Sequence, residues 1–128
     1  MTYLFDTHTY LWFRGDPDRL PLSILDLLTD ISQQGLISVI TPWEIAIKTG
    51  SGKLNGSASL VNFESRETAV GFRIAEITIA QTIASGLLPR HHRDPFDRLL
   101  IAQALDLGLP IISKDSIFDL YGVQRIWA

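Results

Sequence analysis

The stretch "DPFDRLLIAQALDLGLPIIS", Asp94 to Ser113, decides the fold. An acid followed by proline is a favoured helix start, with Asp94 as N-cap and Pro95 in the first turn. Leu100, Ile101, Ala104 and Leu105 then recur at helical spacing, and Gly108 closes the run. "PIIS" follows as a short apolar strand. A helix that hands over to a strand within a few residues is the repeating unit of a layered α/β fold.

The same alternation extends in both directions. "TYLF" (Thr2–Phe5) reads as a buried strand ending at Asp6, and "THTYLWFR" as the helix after it. "LSILDLLTDIS" places Leu22, Leu25, Leu28 and Ile31 near helical spacing. "LISVI" is a second strand, and Thr41-Pro42 opens the helix "WEIAIKTG". A helix is expected in "SLVNFESRETAV", a strand in "FRIAEI", a helix in "TIAQTIASGL" and a last strand in "GVQRIWA". The expectation is a single domain over residues 1–128, α/β in class, with a mainly parallel central sheet flanked by helices.

Composition narrows the function. The 128 residues are 46% hydrophobic and 20% charged, an ordinary globular balance. There is no cysteine, so disulfides, thiolate metal sites and a cysteine nucleophile are excluded. The start "MTYLFD" lacks a basic region and does not read as a signal peptide, and no run is apolar for long enough to span a bilayer. A cytoplasmic protein without membrane contact is expected. The net charge of −3, from 11 Lys+Arg against 14 Asp+Glu, argues against coating nucleic acid by charge alone. "GSGKL" (Gly50–Leu54) is not a phosphate-binding loop, because Leu54 follows Lys53 and Ile47 stands where the first glycine is required.

In open α/β sheets ligands sit beyond the carboxyl ends of the strands. Asp6 follows the first strand, and Asp115 follows "PIIS" by two residues. Glu44 lies three residues after Thr41, and Asp97 three after Asp94, both near helix starts. Each has a purely structural reading. Thr41 and Glu44 have the form of a capping box, Asp94 is a plain cap, and Asp6 can cap the helix it precedes. Asp97 is harder to explain so, since it heads a largely apolar helix where an unpaired carboxylate is costly. Four acids converging on one rim repel one another unless a cation joins them. All-oxygen donors suit Mg2+ or Mn2+ rather than zinc. Such ions polarise phosphoryl oxygens and activate a water, which is phosphate chemistry. Arg90, Arg93 and Arg98 can hold phosphates or form a solvated charged loop. Ser113 and Thr7 flank the acids and can hydrogen-bond a metal-bound water or a ligating carboxylate. His8, His91 and His92 are placed nearby without an assigned role, and Asp119 is undecided. Trp12, Trp43 and Trp127 read as core or interface rather than base-stacking platforms.

Four segments in this order, "LFDTHTYLW", "TPWEIAIKTGSGKL", "HHRDPFDRLLIAQA" and "PIISKDSIFDLYG", resemble a PIN-domain ribonuclease, specifically the VapC-like toxins of type II toxin–antitoxin pairs. The resemblance covers almost the whole chain. It implies a PIN fold, with Asp6, Glu44, Asp97 and Asp115 as metal-binding and catalytic residues holding Mg2+ or Mn2+ and cutting single-stranded RNA endonucleolytically. Arg93, Arg98 and Ser113 are then the candidates for substrate phosphate. It further implies a cognate antitoxin and a homodimer. Many relatives carry Ser or Asn where this chain has His8, so no role is carried over to that position. Two readings of other classes compete. A non-catalytic RNA- or protein-binding module on the same scaffold has no need to keep four repelling acids. A phosphatase or phospho-receiver with a strand-end Asp nucleophile expects an acid, not His8, two residues after Asp6, or acids and a lysine in other places.

Overall fold

All five expected strands are present, and every pairing between them is parallel. The computed structural model describes residues 1–128. Its strands are β1 (Thr2–Phe5), β2 (Gln34–Ser38), β3 (Arg73–Ala75), β4 (Ile111–Ile112) and β5 (Arg125–Ile126). They form one sheet in the order β3-β2-β1-β4-β5. The central β1 pairs Leu4 with Leu36 on one side and with Ile111 on the other. Tyr3, Leu4 and Phe5 are all buried, as a parallel sheet covered on both faces requires.

Seven helices cover the sheet: α1 (Thr7–Gly15), α2 (Leu22–Thr29), α3 (Ile40–Gly50), α4 (Ser57–Leu60), α5 (Phe63–Ala69), α6 (Ile79–Leu87) and α7 (Pro95–Leu107). The pleat divides the core in two. Tyr3 and Phe5 point to one face, with Tyr10, Ile24, Leu28, Phe63 and Phe72. Leu4 points to the other, with Ile40, Leu100, Ile101 and Phe118. No helix is long and apolar enough to cross a membrane. Gly35 is glycine for a packing reason: a Cβ there would stand 2.7 Å from the Phe72 ring and 2.9 Å from the Tyr3 hydroxyl.

The helix expected after Asp94 is present. Asp94 accepts from the backbone N–H of Phe96 and Asp97 at 2.9 and 3.2 Å, and Gly108, at φ 67°, ends it. Four local expectations differ from the structure. In α2 the buried positions are Ile24 and Leu28, whereas Leu22 and Ile31 are exposed, so the apolar repeat is offset by a residue or two from the face that packs. The "LISVI" strand starts earlier and stops at Ser38. Helix α3 therefore begins at Ile40, before Thr41-Pro42, and no side chain caps it. The Thr41–Glu44 capping box does not form. The helix expected in "SLVNFESRETAV" breaks into α4 and α5 at Asn62, whose φ of 50° is left-handed.

Candidate active site

The parallel topology brings the ends of β1 and β4 side by side, on the rim where α3 and α7 begin. There Asp6, Glu44, Asp94, Asp97 and Asp115 line a small pocket of about 110 Å³ with Thr7, His8 and Lys48. Not one lining residue is hydrophobic. The four acids expected to converge do so, and Asp94 joins them.

Each acid is held differently. Asp6 ends β1 and caps α1: its Oδ1 accepts from the Thr9 backbone N–H at 2.9 Å and the Thr9 hydroxyl at 2.6 Å. Its Oδ2 accepts from the Ser113 hydroxyl at 2.6 Å, a bond that ties β1 to β4. Burial pushes the Asp6 carboxyl above its ordinary value, and these three donors oppose that rise. Glu44 projects from α3 into the same space. Thr7 donates to its Oε1 at 2.5 Å, and Lys48, one helical turn on, forms an ion pair with Oε2. Asp115 caps the 3-10 segment Ser116–Tyr121 by accepting from Ile117 N–H at 3.0 Å.

Asp97 differs from the rest. It stands on the inward side of the first turn of α7, and no group donates a hydrogen bond to its carboxylate; the nearest is His92 Nε2 at 3.4 Å from Oδ2. Its pKa is pushed up to about 8, first by burial and then by the charges of Asp94, Asp6, Glu44 and Asp115. A carboxyl forced this far from its ordinary range by burial and by neighbouring carboxylates is a candidate for a functional site that positive charge would relieve.

Apart from the His8 ring and the Lys48 ammonium, the side-chain polar atoms of this pocket are carboxylate and hydroxyl oxygens, which fit a hard divalent cation rather than a soft one. As the side chains stand, no three His, Asp or Glu are drawn close enough together to hold an ion. Asp6 and Glu44 are turned toward their own Thr, Ser and Lys partners. Asp97 and Asp115 each keep lone pairs free. A cation would fit this pocket after rotations of the side chains already lining it.

A wider groove of about 580 Å³ opens beside the pocket and shares Thr7, His8, Glu44 and Lys48 with it. Leu11, Trp12 and Leu54 give it an apolar side, and Lys53 adds a cation. His8 is exposed there and stacks on Trp12, with ring centroids 6.0 Å apart and planes at 19°. Arg19 and Lys114 lie over the same indole, at 4.8 and 6.0 Å.

The candidate phosphate residues separate. Arg93 and Arg90 are exposed. Arg98 is buried and turned away from the pocket, which overturns its reading as a phosphate contact. Its guanidinium donates to the carbonyls of Ser85, Leu88 and Pro89 at 2.8–3.0 Å, closing the end of α6, which lacks a glycine cap. Ser113 is buried and spends its hydroxyl on Asp6, the carboxylate-orienting alternative, and so is not free for substrate. Asp119 pairs with Arg125 at 2.9 Å outside the pocket. Lys48 and Thr9 went unnoticed in the sequence. Both were within reach of helix rules, as the partner one turn after Glu44 and the third residue after the capping Asp6.

A model of the PIN domain family matches residues 3–123. Among solved structures the chain is similar to VapBC2 from Rickettsia felis bound to a DNA fragment from their promoter, with a TM-score of 0.70, 19% identity and coverage of 100% of both chains. It is also similar to DNA-bound VapBC from Salmonella typhimurium, at TM-score 0.69 and 16% identity over 98% of this chain and 97% of that one. A toxin–antitoxin complex from Klebsiella pneumoniae matches at TM-score 0.61 and 20% identity, over 89% of this chain and 87% of that one. No curated protein matches the sequence.

Proposed function

Because this chain belongs to the PIN domain family, we propose that it is a metal-dependent endoribonuclease of single-stranded RNA, acting as the toxin of a type II toxin–antitoxin pair. PIN domains are generally nucleases, and the similar VapBC and Klebsiella pneumoniae structures are complexes of toxin–antitoxin systems, which supports the wider setting. The observation that carries the reading is Asp97, a carboxylate with no donor of its own that faces four other acids in a polar pocket. Asp6, Glu44, Asp97 and Asp115 would hold Mg2+ or Mn2+. The ion supplies charge that polarises a phosphodiester and makes a water acidic enough to attack it.

The chain's own residues do the remaining work. Thr9 and Ser113 fix both oxygens of Asp6, and Thr7 and Lys48 fix those of Glu44. These donors hold the carboxylates at the pocket wall before an ion or substrate arrives. Lys53 in the groove and the exposed Arg93, which precedes Asp94 in the chain, would supply phosphate contacts to the strand. The groove has the size of a small-ligand site, roughly 300–1,000 Å³, and accepts an unpaired nucleotide rather than a duplex. A cytoplasmic location, a small antitoxin and a homodimer belong to the same proposal.

A second reading, a non-catalytic RNA- or protein-binding module, is favoured by one observation: no three potential ligands are closed up around an ion. One experiment separates the two. Asp97→Asn and Asp6→Asn should each reduce Mg2+-dependent cleavage of a single-stranded RNA by at least about 100-fold, the scale expected when a centre that acts on developing charge is disabled. Undiminished cleavage in either variant would remove that acid from the site. Metal affinity without turnover on any RNA would favour the binding module.

A further inference from the structure

His92 lies in the loop before α7, and its ring is held by a chain of hydrogen bonds that bears on which nitrogen carries the proton. Its Nδ1 stands 2.7 Å from the Tyr121 hydroxyl, and which of the two donates depends on the ring's tautomer. That hydroxyl also receives the His92 backbone N–H at 3.2 Å and Arg98 Nη1 at 3.3 Å. A phenol has one proton to give and two lone pairs to fill. Both lone pairs are engaged, so the Tyr121 proton points at Nδ1, which must then be the bare nitrogen of the neutral ring. The ring hydrogen is therefore on Nε2. This atom is buried and without a hydrogen-bond partner. It lies 3.4 Å from Asp97 Oδ2 without making a hydrogen bond to it. An unpartnered donor and an unpartnered carboxylate thus confront each other at the pocket wall.

Tyr121 is itself held in place. Arg98, which meets its hydroxyl, is anchored on the last carbonyls of α6, and Tyr121 is buried in the second core cluster. Arg98 also follows Asp97 in α7, so a single helix carries both ends of the relay.

We propose that His92 is a positioning residue: Tyr121 fixes its tautomer, and its Nε2–H orients the Asp97 carboxylate for the metal. The inference rests on the proposed role of Asp97 as a ligand. Outer hydrogen bonds of this kind typically contribute about 10–100-fold in metal affinity. His92→Ala should therefore weaken Mn2+ binding, measured by calorimetry on the RNA-free protein, by about 10-fold or more. His92→Gln, whose amide can still donate, should recover most of that loss. Tyr121→Phe should fall between them, because the ring then loses the group that fixes its tautomer. Ring 15N NMR of the wild type should place the hydrogen on Nε2. A His92→Ala protein that binds Mn2+ as the wild type does, or a hydrogen found on Nδ1, overturns the proposal. Failure of His92→Gln to rescue would reduce His92 to a packing residue and overturn it as well. Asp97→Asn tells the two levels apart. If it binds Mn2+ normally, the ligand role of Asp97 falls and this inference with it. If it loses Mn2+ while His92→Ala does not, only the positioning role falls.

Discussion

Glu67 and Asp97 are two acids close to the core whose surroundings are opposites. Glu67, on α5, is fully buried, and Arg14 of α1 grips both its oxygens while Arg66 stands behind. Both oxygens have a donor, and the pair ties two helices together. Asp97 keeps about a quarter of its side chain open to the pocket, receives no hydrogen bond and is ringed by acids. Burial alone therefore does not mark a functional acid. Glu67 is more buried than Asp97 and is structural. What distinguishes Asp97 is charge left uncompensated by the fold.

The contrast can be broken at either end. The largest effect on stability should come from Glu67→Ala, which leaves the half-buried Arg14 guanidinium without its ion-pair partner. A loss of roughly 3 kcal/mol is expected, at the lower end for a broken buried pair because Arg14 keeps part of its side chain in solvent. Thermal unfolding would read it, with the catalytic constants of the surviving folded protein unchanged. Asp97→Asn should do the reverse in the metal-free protein. The Asp97 carboxyl holds its proton up to about 8 when folded but only to its ordinary 3.8 when unfolded. Between those values the folded state binds the extra proton, so rising pH removes stability through that window and the penalty is complete above it. The unfolding free energy of Asp97→Asn, measured by denaturant titration, should thus draw ahead of the wild type from pH 5 to pH 8, by an amount on the order of 2 kcal/mol. Saturating Mg2+ should narrow the gap. A constant difference across that range would mean that Asp97 is not strained by its neighbours. The smallest effect belongs to the groove. Lys53→Ala should raise KM for RNA about two- to five-fold at low salt, shrinking toward none at high salt, with kcat unchanged.

Much of this was legible in the chain because it depends on local rules. Asp94-Pro95, Gly108 and the apolar run between them specify α7 without help from elsewhere. The strand-end positions of Asp6 and Asp115 place both on one rim once the strands are parallel. Boundaries were less legible where tertiary packing competes with local chemistry. Ile40 is pulled into α3 because it packs in the second core cluster, which moves the helix start ahead of the Thr41-Pro42 signal. Arg98 looked like a phosphate ligand beside Asp97. One helical position, however, is about 100° of rotation, enough to turn it from the pocket toward the end of α6. The His92–Tyr121 contact joins residues 29 apart through a loop and a 3-10 turn, and no spacing rule reaches that far.

The strand order β3-β2-β1-β4-β5 also sets a timetable. Asp6 and Glu44 leave the ribosome early, but Asp97 and Asp115 belong to the last third of the chain, and the Ser113–Asp6 bond spans 107 residues. Contacts so distant in sequence form late, after the intervening loop has been closed. A nascent chain that has emerged only through α5 carries two of the acids and has neither β4 nor α7 to set beside them. On the proposed activity, the message being translated is safe from its own product until translation is nearly complete.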